Sequence, residues 1–216
     1  MAGKGAKLMR KRLASAKTAL LVCDLQEKFR SRILGFDAVV ESSRVLIAGC
    51  QALDMPVVVT EQYPKALGYT VPELGVGNSG SNVRNVPIFS KTRFSMMCPE
   101  VENELKKSAP GIESVLLCGI ESHVCVYQTA MDLIDRGIDV HVVVDAVSSQ
   151  RDADRSVGIA SLQALGCSLS TVEMALFEML GDSHHPTFKA VSNIIKGRDT
   201  SQTQLSFAPM RMTPSL

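Results

Sequence analysis

Three ionisable residues, each at the end of an apolar segment, could together form a nucleophilic site. Asp24 ends ALLVCD, Lys91 ends VPIFSK, and Cys125 lies in GIESHVC, which follows the apolar run SVLLC. A thiolate is a strong nucleophile, a neighbouring carboxylate can remove the thiol proton, and an ammonium group favours the resulting anion. If the fold brings them together, these residues predict covalent attack on a carbonyl group.

The position of Cys125 at a predicted helix start supports this chemistry. The first turn of a helix carries unpaired N–H groups and a partial positive charge, both of which favour a thiolate. Free N–H groups around residues 121–125 could also bind an oxyanion, a contribution of about 3–4 kcal/mol per donor. Taken singly, each residue has another interpretation: an inert packed cysteine, an aspartate that caps a turn and a solvated lysine.

Apolar, β-branched runs alternate with segments of helical period along the chain. The strands are predicted at 19–24, 55–62, 86–91, 114–121, 138–147 and 167–174, and helices at 36–53, 99–109, 124–137, 152–166 and 185–197. Near-continuous apolar strands are typical of a parallel sheet that is buried on both faces. The alternation therefore predicts one α/β domain around a mainly parallel sheet.

Ligands of an open parallel sheet bind beyond the carboxyl ends of its strands. At those ends the sequence places Asp24, Thr60-Glu61-Gln62, Ser90-Lys91, Glu121-Ser122-His123 and Asp145. An acid, a base and a thiol would converge there if the first, third and fourth strands lie near one another. The strand order itself does not follow from the order of the strands along the chain.

The 216 residues suit a single domain, predicted at 18–197, between a basic arm at 1–17 and a mobile tail at 198–216. The arm contains Lys and Arg without Asp or Glu, so it is either a solvated arm of a cytoplasmic protein or a mitochondrial presequence. The six cysteines form no Cys-x-x-Cys pair, which indicates a reducing compartment.

Charge and hydropathy argue against two classes of partner. The formal net charge is +1, which provides no overall attraction to nucleic acid or anionic lipid. No apolar run approaches the ~20 residues that span a bilayer. Neither property thus favours a nucleic-acid or membrane partner over a small-molecule ligand. The segment 63–85, rich in Gly, Pro, Ser and Asn, reads as a long loop that would help to select it.

Three motifs resemble those of the isochorismatase-like cysteine hydrolases. They are DLQEKF at 24–29, FSKTRFSM at 89–96 and GIESHVCVYQTAMDLIDRG at 119–137, within a likeness that spans roughly residues 18–196. The resemblance implies a three-layer α/β/α fold with a six-stranded, mainly parallel, Rossmann-like sheet. It also implies a catalytic triad of Asp24, Lys91 and Cys125 and no cofactor.

The resemblance implies two further features of the turn before Cys125. The peptide bond between Ile120 and Glu121 would be cis, although neither residue is proline. The backbone N–H groups of Glu121 and Cys125 would then form an oxyanion hole. The family commonly assembles into dimers, tetramers or larger rings, so a homo-oligomer is expected.

One departure from the wider superfamily narrows the range of expected substrates. Nicotinamidases carry an Asp/His metal cluster after the second strand, whereas this chain reads TEQYPKALG there, without histidine. No metal site is therefore expected, and nicotinamide is not the expected substrate. Isochorismate is not expected either, since cleavage of its vinyl ether can proceed without the cysteine that this chain retains.

Residues near the strand ends are candidates for the substrate pocket. Phe29, Tyr63 and Phe94 would form an apolar wall or belong to the core, His123 would line the pocket or its edge, and Gln62 would make a polar contact. The resulting hypothesis is a metal-independent hydrolase of a small amide or related acyl compound that works through a thioester. The alternative is a non-catalytic interaction or scaffold protein that retains the fold.

Overall fold

Residues 12–77, 86–199 and 201 are described by the structure, a computed structural model of the chain. Most of the predicted arm at 1–17 and tail at 198–216 lies outside these residues, as does the second part of the predicted loop, 78–85. Where the tail begins, Arg198 donates to the carboxylate of Asp145 at 3.1 Å, which fastens this residue to the domain.

Six parallel strands form one sheet, in agreement with the predicted fold class. They are Thr18–Cys23 (β1), Val57–Gln62 (β2), Ile88–Lys91 (β3), Ser114–Ile120 (β4), Asp139–Ser148 (β5) and Ser168–Ser170 (β6). Their spatial order is β3-β2-β1-β4-β5-β6, and each neighbouring pair is parallel. Every residue of β1 and β4 is buried, as the apolar runs that form these central strands predict.

Helices cover both faces of the sheet and complete the three-layer architecture. They are Phe36–Ala52 (α1), Pro64–Leu67 (α2), Pro99–Ser108 (α3), Cys125–Ile134 (α4), Asp152–Ala164 (α5), Val172–Leu180 (α6) and Phe188–Lys196 (α7). The first of these packs against α6 and α7, whereas α4 packs against α5. Within the described ranges, no helix has the length and apolar character needed to cross a bilayer.

The strand order creates a switch point between β1 and β4. From β1 the chain continues outward to β2 and β3, and from β4 it continues in the opposite direction to β5 and β6. The connections that follow β1 and β4 therefore diverge and leave a crevice beyond their carboxyl ends, where ligands of open α/β sheets bind. Asp24 follows β1 at this crevice, and residues 121–125 follow β4.

Gly119 allows the last residues of β1 and β4 to lie in close contact. It is paired with Cys23 and has a φ of +104°, a conformation that side chains other than glycine rarely adopt. A Cβ atom at this position would lie 2.1 Å from the carbonyl oxygen of Cys23. Glycine is therefore required where the two strands enter the crevice.

The largest difference from the predicted strand boundaries is in the sixth strand. The segment predicted as a strand at 167–174 is a strand only from Ser168 to Ser170, and α6 begins at Val172. Thr171 ends the strand because its side chain caps the helix by accepting a hydrogen bond from the N–H of Met174 at 3.2 Å.

The fifth strand also continues beyond Asp145, the residue predicted to end it. Its pairing with β4 shifts between Leu117 and Gly119, and it extends to Ser148. The carboxylate of Asp145 accepts a hydrogen bond from the N–H of Val172 at 2.9 Å. Asp145 therefore stabilises the start of α6 and does not mark the end of β5.

Replacing Thr171 by alanine should lower the free energy of unfolding by about 1 kcal/mol, because the N–H of Met174 loses its acceptor. Urea denaturation followed by far-UV circular dichroism measures this change. Thr171→Ser is the matched control, since serine retains the capping hydroxyl and should keep the stability of the parent. Equal stability of the alanine and serine variants would contradict the capping role.

Candidate active site

The structure brings Asp24, Lys91 and Cys125 together at the carboxyl end of the sheet. Asp24 follows β1, Lys91 ends β3, and Cys125 begins α4. The Nζ atom of Lys91 lies 2.7 Å from Oδ2 of Asp24. The Sγ atom of Cys125 lies within 4.8 Å of a carboxylate oxygen of Asp24. A thiol, a carboxylate and an ammonium group thus meet around the crevice.

The ammonium group of Lys91 is surrounded by acceptors and fully shielded from solvent. It donates to Oδ2 of Asp24 and Oε1 of Gln62, both at 2.7 Å, and it contacts the carbonyl oxygens of Phe94 at 2.9 Å and Arg93 at 3.3 Å. Burial alone would lower the pKa of Lys91, but its interactions with the acidic groups of Cys23, Asp24 and Cys125 outweigh this effect and raise it. Lys91 is therefore a fixed positive charge at neutral pH.

The carboxylate of Asp24 is held by three side chains. Its Oδ1 atom accepts from the hydroxyl of Thr60 at 2.8 Å. Its Oδ2 atom accepts from Lys91 and, at 3.4 Å, from the thiol of Cys23. Asp24 also has a positive φ of 52°. These contacts fix the carboxylate beside Cys125, with one oxygen bound to the ammonium group.

Cys125 combines a reactive group with a rigid support. It is the first residue of α4, so its N–H group has no acceptor within the helix. Its carbonyl accepts from the hydroxyl of Thr129 at 2.6 Å, and the same hydroxyl accepts from the N–H of Met96 at 2.9 Å. Cys125 is 8% exposed. The residue is therefore almost completely buried, and the start of the helix holds the thiol in place.

The turn between β4 and α4 is tightly hydrogen-bonded. The peptide bond from Ile120 to Glu121 is cis, as the resemblance implied. The carbonyl of Glu121 accepts from the N–H groups of Val124 at 3.1 Å and Val126 at 3.2 Å. Its carboxylate accepts from the N–H of Gln150 at 2.9 Å, so the side chain is directed to the loop after β5.

The five predicted pocket residues have different environments. Tyr63 and Phe94 are half-exposed and border Lys91, since Tyr63 donates its N–H to the Lys91 carbonyl and Phe94 accepts from the ammonium group. Phe29 is partly buried and packs against the core. The Nδ1 atom of His123 lies 3.0 Å from the hydroxyl of Ser149. Their contacts with a substrate stay a prediction.

Gln62 serves the site in a way that the sequence did not suggest. Its Oε1 atom accepts from Lys91, and its Nε2 atom donates to the carbonyl of Thr92 at 2.7 Å. The side-chain amide thereby links the end of β2 to the segment after β3. Gln62 positions the ammonium group, and contact with a substrate would come in addition to this role.

A buried glutamine, Gln26, fastens the loop that follows β2. Its Oε1 atom accepts from the N–H of Gln62 at 2.7 Å, and its Nε2 atom donates to the carbonyls of Gln62 at 3.0 Å and Gly68 at 2.6 Å. The carboxylate of Glu61 accepts from the N–H of Thr70 at 2.7 Å. Residues 62–70 are thus tied to the segment that follows β1.

Cys23 is the site residue whose role the sequence analysis missed. It lies within the apolar run ALLVCD, a pattern that favours a small packed residue, and it is indeed fully buried. Its Sγ atom, however, lies within 4.8 Å of the Sγ atom of Cys125. Burial, the neighbouring thiol of Cys125 and the negative charge of Asp24 raise the pKa of Cys23 well above the usual value, although Lys91 opposes this shift. Cys23 is therefore a protonated neighbour of the reactive thiol.

Within the described residues, one group of side chains could offer ligands to a metal ion: Cys23, Asp24 and Cys125, whose ligand atoms lie within 4.8 Å of one another. The ammonium group of Lys91 binds the Asp24 carboxylate at 2.7 Å. A cation at this place would therefore compete with Lys91 for the carboxylate and be repelled by its charge. This arrangement favours thiol chemistry over metal binding.

A cavity of about 400 Å³ lies away from the cluster of Asp24, Lys91 and Cys125. It is located between α3 and the end of α4, and Met97, Leu105, Ile112 and Arg136 are among its lining residues. None of the nine predicted site residues lines it. The crevice at the end of the sheet, rather than this cavity, holds the ionisable groups.

Sequence comparison relates the chain to proteins of known family. The family model described as the isochorismatase domain matches residues 18–174. Isochorismatase domain-containing protein 2 of Xenopus laevis is 44% identical over 184 residues, which cover 85% of this chain and 86% of that protein. The range matched by the family model extends from β1 to β6 and contains positions 24, 91 and 125.

Two solved structures are similar in fold. One, described as MAR1 ribonuclease from Caenorhabditis elegans, has a TM-score of 0.80 and 46% identity, covering 92% of this chain and 100% of that one. The other, the YcaC gene product of Escherichia coli, is described as an octameric hydrolase of unknown specificity. It has a TM-score of 0.76 and 20% identity, covering 87% and 90% of the two chains.

Proposed function

The chain belongs to the isochorismatase family, and we propose that it is a cysteine hydrolase that cleaves a small amide or related acyl compound through a thioester. One observation carries the proposal: the buried Lys91–Asp24 pair, joined at 2.7 Å, lies against the thiol of Cys125. Membership of a hydrolase family supports the reaction class. The three side chains support the particular mechanism.

The first step is attack by Cys125. Its Sγ atom forms a bond to the substrate carbonyl carbon while Asp24 accepts the thiol proton. Lys91 stabilises the negative charge that passes from sulfur to the carbonyl oxygen. Because four oxygen atoms surround its Nζ atom, Lys91 stays protonated and contributes charge rather than a proton.

The second step is collapse of the tetrahedral intermediate. Its oxyanion is bound by the N–H groups of Glu121 and Cys125 at the start of α4, and Asp24 returns the proton to the departing amine or alcohol. Water then attacks the thioester while Asp24 accepts its proton, the C–S bond breaks, and Asp24 returns the proton to the sulfur of Cys125 as the acid product leaves. No metal ion takes part in these steps.

Detection of the thioester tests this proposal. The protein is incubated with a panel of small amides and esters, quenched in acid, and analysed by intact-protein and peptide mass spectrometry. An acyl group on Cys125 that is released by hydroxylamine is the expected result. Hydrolysis of a panel compound with the acyl group on another residue, or with water attacking directly, would contradict the mechanism.

Replacing Gln62 by leucine should slow iodoacetamide alkylation of Cys125 at neutral pH by about 10-fold, equivalent to ~1.4 kcal/mol. The reason is that Lys91 loses one of its acceptors and shifts relative to the thiol. Gln163→Leu, an exposed change on α5, is the matched control and should react at the parent rate. An unchanged alkylation rate in Gln62→Leu would contradict the role of Gln62 in positioning the ammonium group of Lys91.

The same panel of compounds distinguishes the proposed hydrolase from two alternative functions. A non-catalytic scaffold protein would turn over none of the compounds, and its Cys125 would be alkylated no faster than a small-molecule thiol. The Caenorhabditis elegans relative is described as a ribonuclease, so RNA is included in the panel. RNA cleavage that survives replacement of Cys125 would favour that activity over thioester chemistry.

We also propose that the chain forms a homo-oligomer, because the Escherichia coli neighbour is described as octameric. Light scattering after size-exclusion chromatography distinguishes a dimer, a tetramer or a larger ring from a monomer of 23.3 kDa. A monomer at micromolar concentration would contradict this part of the proposal.

A further inference from the structure

We propose that Cys23 and Cys125 are a redox pair: a peroxide oxidises Cys125, and Cys23 then closes an intramolecular disulfide that blocks the site and protects it. The inference rests on the reactive thiol assigned to Cys125 above. It adds a modification site, with a hydroperoxide as the oxidant and a small dithiol or a thioredoxin-like protein as the reductant.

The two sulfur atoms are close enough for this bond. They lie at most 4.8 Å apart, so an S–S bond of ~2.05 Å requires them to approach by less than ~3 Å. Cys23 donates to Oδ2 of Asp24 at 3.4 Å, and the sulfur atoms of both cysteines lie within 4.8 Å of this carboxylate, so the two thiols lie beside the same group. Cys23 ends β1 and Cys125 begins α4, so rotation about the side-chain bonds, with a small shift of the helix start, provides the movement.

The environments of the two thiols assign them different roles. Cys125 is 8% exposed as a whole residue and lies beside the Lys91–Asp24 pair, whose ammonium group favours the thiolate that peroxide oxidises. Cys23 is fully buried, and its pKa is raised, so peroxide does not oxidise it directly. Cys125 is therefore oxidised first, and Cys23 is the resolving thiol.

The two steps balance in atoms and electrons. Asp24 accepts the thiol proton of Cys125, the sulfur attacks one peroxide oxygen as the O–O bond breaks, and Asp24 passes the proton to the departing oxygen. The products are the sulfenic acid of Cys125 and water or an alcohol. Cys23 then attacks the sulfur of that sulfenic acid, the S–O bond breaks, and water leaves. Asp24 accepts the thiol proton of Cys23, to which it is hydrogen-bonded at 3.4 Å, and passes it to the departing hydroxide.

The disulfide would have two effects on the enzyme. It removes the nucleophile, so hydrolysis stops while the oxidant is present. It also prevents further oxidation of Cys125 to sulfinic and sulfonic acid, which thiols do not reverse. Reduction by a dithiol restores both thiols and the activity.

Peroxide treatment of the full chain tests the pair. After brief exposure to hydrogen peroxide and alkylation under denaturing conditions, peptide mass spectrometry should show a Cys23–Cys125 disulfide and four alkylated cysteines out of six. Reactivity of Cys125 toward iodoacetamide should fall to background and return with dithiothreitol. A parent protein that yields only sulfinic or sulfonic acid at Cys125 would overturn the inference.

Cys23→Ala isolates the resolving role. In this variant the same exposure should carry Cys125 to sulfinic or sulfonic acid, and dithiothreitol should no longer restore its reactivity. Cys50→Ala removes another fully buried thiol and is the matched control, with the response of the parent. If Cys23→Ala folds poorly, Cys23→Ser serves instead, and thermal unfolding checks both. Full recovery of Cys23→Ala by dithiothreitol would overturn the inference.

The inference and the proposed hydrolase fail in different ways. Formation of the disulfide without hydrolysis of any panel compound would support the redox pair and contradict the proposed hydrolase activity. A thioester on Cys125, together with no disulfide-linked Cys23–Cys125 peptide after peroxide treatment, would support the hydrolase activity and contradict the redox pair. Cys125→Ala should leave Cys23 unmodified at the same exposure, because the first step then lacks its nucleophile.

Discussion

Cys125→Ala should lower kcat/KM for any hydrolysed amide or ester by about 10³-fold or more, because removal of a catalytic nucleophile leaves only binding and oxyanion stabilisation. The fold should be retained, since the change deletes one sulfur atom at the edge of the core. Initial rates with saturating and limiting substrate, together with circular dichroism and thermal unfolding, measure both effects.

Two variants control for this result. Cys118→Ala deletes a fully buried sulfur from the neighbouring strand β4 and should keep the activity of the parent. Cys125→Ser retains the shape of the side chain but replaces the thiol by a much weaker acid, so it should be nearly as inactive as alanine. A rate for Cys125→Ala within a few-fold of the parent would exclude thioester catalysis.

Lys91→Met should lower the free energy of unfolding by about 3–5 kcal/mol, because it leaves the buried carboxylate of Asp24 without its counter-charge. The side chains of Lys91 and Asp24 are 0% and 2% exposed, so water cannot replace the lost partner. Urea denaturation at neutral pH measures the change. The same variant should slow alkylation of Cys125, since the positive charge beside the thiol is gone.

A second substitution and an exposed ion pair give the controls. Adding Asp24→Asn to Lys91→Met removes the unpaired charge and should recover part of the lost stability. Lys17→Met breaks an exposed pair with Glu113 and should cost less than ~1 kcal/mol. A loss below ~1 kcal/mol in Lys91→Met would mean that the Lys91–Asp24 pair does not hold the site together.

Much of the fold could be predicted because its central strands carry unambiguous patterns. The runs TALLVC and SVLLCGI are apolar at nearly every position, which a strand buried on both faces requires, and β1 and β4 are such strands. The family motifs then indicated Asp24, Lys91 and Cys125 as a triad, and the strand order places them around one crevice.

The contacts that complete the site could not be predicted, because they depend on strand register. Thr60 binds Asp24 because β1 and β2 pair Cys23 with Thr60, and no local pattern gives that register. The apolar run around Cys23 indicates only a buried residue, and its proximity to Cys125 depends on where α4 begins. The boundary between β6 and α6 was wrong because the capping threonine also suits a strand.

The attachment of residues 62–70 through Gln26 has a consequence for how new specificities could arise. The reactive groups lie at the ends of the sheet strands and at the start of α4. The loop, in contrast, is attached through hydrogen bonds from the Gln26 side chain to Gln62 and Gly68. The residues between Gln62 and Gly68 can therefore be exchanged between relatives without changing the reactivity of the thiol, provided that Gln26 and the two attached residues are kept. Chimaeras made in this way would inherit their reaction from one parent and their choice of molecule from the other.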